Sequence, residues 1–163
     1  MRHIISAIVE NKSGVLAHVS GLFASRGFNI DSLSVAETED PNLSRMTIVT
    51  SGDERILEQI RKQLAKVVDV IKVQDFSGIS HVERQLLLIR VKAAGKERGE
   101  IMEIASVFRG KIVDISAKGL TIELSGPQSK IDAFVLMMKP YGIREVVRSG
   151  SIAMMREVQQ NSF

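Results

Sequence analysis

Apolar residues recur along this chain in two alternating rhythms, and the order of those rhythms repeats. His3 to Glu10 is mostly β-branched or small and apolar, and it closes on the polar turn Asn11-Lys12-Ser13-Gly14, which predicts a buried strand. Val15, Leu16, Val19, Leu22 and Phe23 then fall on one helical stripe that ends at Arg26-Gly27. Ile30 to Glu37 and Leu43 to Thr50 read as strands joined by the turn cluster Thr38-Glu39-Asp40-Pro41-Asn42. Ser51-Gly52-Asp53-Glu54 has capping-box spacing and predicts a second helix carrying Ile56, Leu57, Ile60 and Leu64. Val67 to Val73 is the fourth strand, rich in β-branched residues.

After the interruption Phe76-Ser77-Gly78-Ile79-Ser80-His81, the same β-α-β-β-α-β order returns. Arg84 to Ala93 is its first strand, and Ile101, Ile104, Ala105 and Phe108 mark its first helix. Lys111 to Ala117 and Leu120 to Ser125 form a hairpin. Gly126-Pro127 opens a helix with Ile131, Phe134, Val135 and Met138, and Ile143 to Arg148 closes the set. A local signature repeats as well. Arg26-Gly27 followed by Ile30-Asp31 is echoed by Arg109-Gly110 followed by Val113-Asp114. The fold expected is α+β, two ferredoxin-like split-βαβ domains in tandem, residues 1–77 and 78–163, each with two helices on one face of an antiparallel sheet.

Composition removes several classes of function. The 163 residues include no cysteine, which excludes disulfide frameworks, thiol catalysis and thiolate metal sites. The first apolar run breaks at Glu10, too early for a signal peptide, and no later run approaches the ~18 residues of a membrane span. A cytoplasmic protein without a membrane partner is expected. The net charge is +3, but Lys and Arg are dispersed among acids rather than clustered, as phosphate tracking requires. Aromatics are only 4%, and the strands that would stack bases in an RNA-recognition sheet lack Phe, Tyr and Trp. No nucleic-acid partner is expected.

Catalytic patterns are missing too. His3, His18 and His81 are scattered and read as surface or strand-end residues rather than as metal ligands or part of a triad. Gly95-Lys96-Glu97-Arg98-Gly99 places Glu97 where a phosphate loop needs Ser or Thr, so it reads as a polar turn and helix start. The polar run Gln159 to Phe163 is expected to fray.

One loop offers more than turn chemistry. Asn11-Lys12-Ser13-Gly14 leads from a buried strand to a helix N-terminus, whose free N–H groups favour a carboxylate. Val15 and Leu16 supply apolar surface behind it, so the loop suits a small amino acid. The competing reading makes Asn11 or Ser13 a helix cap and Gly14 a turn residue. Asn29, in Gly27-Phe28-Asn29-Ile30, either bonds a ligand or closes a turn in left-handed geometry.

These segments, together with Ser44-Arg45-Met46-Thr47-Ile48, His81-Val82-Glu83-Arg84 and Phe108-Arg109-Gly110-Lys111-Ile112-Val113-Asp114, resemble the regulatory small subunit of acetolactate (acetohydroxyacid) synthase over essentially the whole chain. The first half alone resembles an ACT domain, a widespread amino-acid sensor, and the second half an ACT-like C-terminal domain of that family. The resemblance implies a non-catalytic subunit without catalytic or metal-binding residues and without a cofactor of its own. Its partner would be a large catalytic subunit that carries thiamine diphosphate, Mg and FAD. It implies a homodimer through the ACT domains and feedback inhibition by a branched-chain amino acid, valine first. Effector contacts would come from Asn11, Lys12, Ser13, Gly14, Val15 and Leu16 of one subunit and from Asn29 and Ile30 of the other. Lys12 stands where many members carry an acidic residue. The alternative is a free-standing ACT-type sensor that controls another enzyme or a transcription factor.

Overall fold

The structure is a computed structural model that describes residues 1–157. The polar run from Gln159 lies outside the described residues. The described chain forms two compact units, residues 1–82 with 151–157 and residues 83–150.

The first unit runs β1 (Arg2–Glu10), α1 (Val15–Ser25), β2 (Ser32–Glu37), β3 (Leu43–Ser51), α2 (Glu54–Leu64) and β4 (Val70–Asp75). Its antiparallel sheet has the order β2-β3-β1-β4. Ile5 pairs with Ile48 and Ala7 with Met46, and these residues are buried with Val9 beneath Val15, Val19 and Phe23 of α1 and Leu57, Ile60 and Leu64 of α2. Alternation along β1 therefore puts both helices on one sheet face. The second unit repeats the plan. β5 (His81–Lys92), α3 (Lys96–Val107), β6 (Lys111–Ser116), β7 (Gly119–Gly126), α4 (Gln128–Met138) and β8 (Ile143–Arg148) give the sheet order β6-β7-β5-β8. Leu87, Ile89 and Val91 lie under Ile101 and Ala105 of α3 and Ile131 and Phe134 of α4. The repeat extends to a bulge. Register shifts at Ile8/Val9 against β4 and at Arg90/Val91 against β8, leaving Ile71 and Arg144 as the extra residues.

Several expectations are corrected. The β-branched run from Val67 does not begin a strand, because its backbone first closes turns: Val67 N–H donates to Leu64 and Val70 N–H to Val67. The fourth strand starts only at Val70, and Asp69 is left in the turn before it. Ser51 does not cap α2. Its hydroxyl donates to Asp31 at 2.6 Å, and Asp53 is the cap, accepting from Ile56 N–H at 2.9 Å. Pro127 precedes α4 as its cap residue, so the helix opens at Gln128. His3 is 2% exposed. Its Nε2 stands 3.0 Å from the Gly52 carbonyl, which only accepts, so Nε2 carries the proton and Nδ1 faces Ser77 Oγ at 3.1 Å.

The second domain expected over 78–163 ends differently. A further strand, β9 (Ile152–Met155), pairs with β5, whose opening residues His81 and Val82 belong to the same unit as β9. Ala153 is buried with Ile4, Val49 and Phe76, on the sheet face opposite α1 and α2, and Met155 packs against them. Ser151 N–H donates to Ser32 Oγ at 2.9 Å, and Arg2 Nη2 donates to Ser151 Oγ at 3.3 Å. The four-residue strand is too short for its alternation to stand out in the sequence. No helix among the described residues is long and apolar enough to cross a membrane.

Candidate functional site

The loop between β1 and α1 is built around Gly14, the N-cap residue, at φ +87°. No side chain caps α1, so neither Asn11 nor Ser13 closes the helix end. The first N–H groups of α1 thus lack a side-chain partner and carry the positive end of the helix dipole. A Cβ placed at Gly14 would meet nothing within 4 Å. The space in front of the helix end is open, while the left-handed backbone there favours glycine. Val15 is buried, and Leu16 beside it is 46% exposed.

Two staples fix the loop. On one side, Asn11 N–H donates to the Asn42 carbonyl at 2.7 Å and Asn11 Nδ2 to the Pro41 carbonyl at 2.8 Å, with Glu37 Oε2 at 3.5 Å. On the other, Lys12 Nζ lies 2.7 Å from Asp69 Oδ1 and 2.6 Å from Glu10 Oε2. His18 Nδ1, in the first turn of α1, is 3.2 Å from Asp69 Oδ2. Asp69 and then Glu10 raise the Lys12 ammonium well above the ordinary lysine value. Lys12 and then His18 hold the Asp69 carboxyl below the usual carboxylate range. Sequence reasoning missed Asp69, which the β-branched run hid inside a predicted strand, and it set His18 aside as a lone histidine.

Asn29 does not close a left-handed turn; among the described non-glycine residues only Arg109 has positive φ. Asn29 Nδ2 donates to Asp31 Oδ1 at 2.6 Å, and its carbonyl accepts from Thr50 Oγ1 at 2.7 Å. Ile30 packs against the core. The amide oxygen of Asn29 is left as an acceptor at the surface.

Asn11–Leu16 and Asn29–Ile30 are not brought together within one copy. The 11 residues of α1 separate them, about 16 Å at 1.5 Å per residue. β3 agrees: its Leu43 end pairs with Glu10 beside the first loop, and Thr50 at its other end bonds Asn29. β2, which leads away from Asn29, is an edge strand of the sheet.

Elsewhere, Gly95-Lys96-Glu97-Arg98-Gly99 is a turn and helix start. Arg98 donates to the Ala93 and Ser116 carbonyls, so its guanidinium is committed to holding that turn. Among the described residues no cluster of three or more His, Asp and Glu is arranged to hold a metal ion.

The two halves match known families separately. Residues 5–72 match the acetohydroxyacid synthase small-subunit-like ACT domain, and residues 84–157 match the small subunit of acetolactate synthase. The acetolactate synthase small subunit of Haemophilus influenzae is 52% identical over 157 residues, covering 96% of both chains. The probable acetolactate synthase small subunit of Archaeoglobus fulgidus is 51% identical over 156 residues, covering 96% of this chain and 98% of that one. Among solved structures, the acetolactate synthase small subunit of Thermotoga maritima is 41% identical with a TM-score of 0.87, over 97% of this chain and 99% of its own. A doubled split-βαβ chain, matched in both halves and at this identity over nearly its full length, belongs to the acetolactate synthase small-subunit family, with an ACT domain as its first half.

Proposed function

We propose that this chain is the cytoplasmic regulatory subunit that binds and activates a separate acetolactate synthase catalytic subunit and makes it sensitive to a branched-chain amino acid, valine first. Thiamine diphosphate, Mg and FAD belong, in this reading, to the catalytic subunit. The observation that supports the proposal is that residues 11–16 and 29–30 lie at opposite ends of α1 and β3. A single valine cannot span about 16 Å, so one copy holds only half of each site. Two copies joined antiparallel along their β2 edges would extend the sheet across both. That pairing sets the Asn11–Leu16 end of one copy beside the Asn29–Ile30 end of the other, twice.

In such a site the effector carboxylate faces the uncapped N–H groups of α1. Its ammonium meets the Asn29 amide oxygen of the partner copy, and its branched side chain lies against Leu16. Because an effector touching both copies favours one pairing of them, it biases whatever surface they present to the catalytic subunit. A coupling of ~1–3 kcal/mol changes that equilibrium by ~5–150-fold.

Reconstitution tests the proposal. Adding the chain to its catalytic subunit should raise acetolactate formation, and valine should lower it again. Asn11→Ala and Gly14→Asp should weaken valine binding in calorimetry without removing activation. Unchanged binding in both variants refutes the site, and a catalytic subunit indifferent to the chain favours a free-standing sensor.

A further inference from the structure

Three consecutive pieces of the chain around the β1–α1 loop are tied to one residue outside it. Asp69, in the turn before β4, is 6% exposed. Its backbone carbonyl accepts from Glu10 N–H at the end of β1, at 2.9 Å. One carboxylate oxygen takes Lys12 Nζ in the loop at 2.7 Å, and the other faces His18 Nδ1 in the first turn of α1 at 3.2 Å. Strand end, loop and helix start are thus referred to a single fixed point.

The arrangement settles where the Lys12 charge goes. A lysine on a flexible four-carbon stem beside a helix N-terminus would otherwise sweep the open space in front of Gly14. There it would repel the ammonium of an amino acid and disturb the N–H groups that take its carboxylate. With two carboxylates within 2.7 Å, the ammonium is neutralised and anchored on the Asp69 side of the loop. The surface left in front of the helix end is then formed by backbone N–H groups and by Leu16.

We infer that Asp69 is a positioning residue for effector binding: acting through Lys12 and His18, it holds the Asn11–Gly14 backbone and keeps the lysine ammonium out of the effector's space. The inference rests on the effector reading above and adds to it a residue that does not touch the ligand.

Valine calorimetry and hydrogen exchange on the full chain test it with Asp69→Asn, Lys12→Met and the double variant. Asp69→Asn keeps the side chain's shape, and Lys12→Met alters an exposed side chain, so at least one variant folds. Asp69→Asn should weaken valine binding about tenfold, a coupling of ordinary size within one ion-pair network, and Lys12→Met, which frees the loop without leaving a stray ammonium, should weaken it less. The double variant should be no weaker than the weaker single, because both act through one contact. Exchange should quicken more at the amides of residues 12–16 than in β1 and β3.

Parent affinity in Asp69→Asn, or fully multiplicative effects in the double variant, overturns the inference. Exchange that quickens equally throughout the first unit, with no excess at residues 12–16, does so as well, because Asp69 then acts only as a general stabiliser. Asn11→Ala and Gly14→Asp separate the two levels of argument. If they abolish binding while the Asp69 and Lys12 variants bind normally, only the positioning role fails. If they bind normally, or the parent binds no valine, leucine or isoleucine, the site itself fails and the positioning role with it.

Discussion

Arg109 occupies in the second unit the left-handed helix-end position that Gly27 occupies in the first. Gly27 has φ +68° and Arg109 φ +59°. In each unit the next residue closes the motif, with Phe28 N–H donating to Phe23 and Gly110 N–H to Ala105. The repeated Arg-Gly pairs are therefore one residue out of step in structure. Gly110 is needed for a different reason, since a Cβ there would come within 3.2 Å of Ile122 and 3.3 Å of two backbone carbonyl oxygens.

Arg109→Gly should accordingly stabilise the second unit. Relief of left-handed strain gives ~1–2 kcal/mol, offset by ~0.5–1 kcal/mol of glycine entropy. Urea unfolding followed in the second unit should show a net gain of about 0.5–1 kcal/mol from the same two terms. A loss would show that Arg109 makes compensating contacts.

Asp53→Ala should destabilise α2 by about 1 kcal/mol, the usual cost of losing a cap. Ser51→Ala should leave the helix end intact, because Ser51 bonds Asp31. Equal exchange protection of the first-turn α2 amides in both variants would contradict this assignment.

Acid should weaken the first unit partly through Asp69. Its folded-state pKa is lowered by Lys12 and His18, so it stabilises the fold above its ordinary value near 4. That contribution is lost as pH falls below this value through the folded-state pKa. Thermal melting between pH 5 and 2 should therefore show a shallower acid dependence in Asp69→Asn than in the parent. Parallel profiles would remove the ion pair from the account.

Ala153→Asp buries a carboxylate against Ile4, Val49 and Phe76 and should cost about 1–3 kcal/mol or more. Hydrogen exchange should report the loss in β1 and β3. Protection confined to its parent values there would mean that β9 does not brace this sheet.

Much of the fold was legible because alternation along β5 and β7 writes the helix-covered face of their sheet into the sequence, while β1 and β3, buried on both faces, read as apolar runs. Ile143 to Arg148 was placed to the residue. The fourth strand was misplaced because Val67, Val68 and Val70 carry β-branched side chains whose backbone is taken up by turns; Val68 is 94% exposed. Residues Asn11 to Leu16 stood out through a local pattern, a glycine between strand and helix. Asp69 did not, since its meaning comes from Lys12 and His18, far away in sequence.

The strand β9 also bears on how the protein is made. The first unit begins at residue 1 but includes residues after 150, with the whole of the second unit between them. A ribosome that has released β1 to β4 has not yet synthesised Ala153, so Ile4, Val49 and Phe76 emerge without their cover. The second unit, contiguous from 83 to 150, has all its strands and helices before the first is complete. Birth order and assembly order are thereby inverted: the domain translated first is the one finished last.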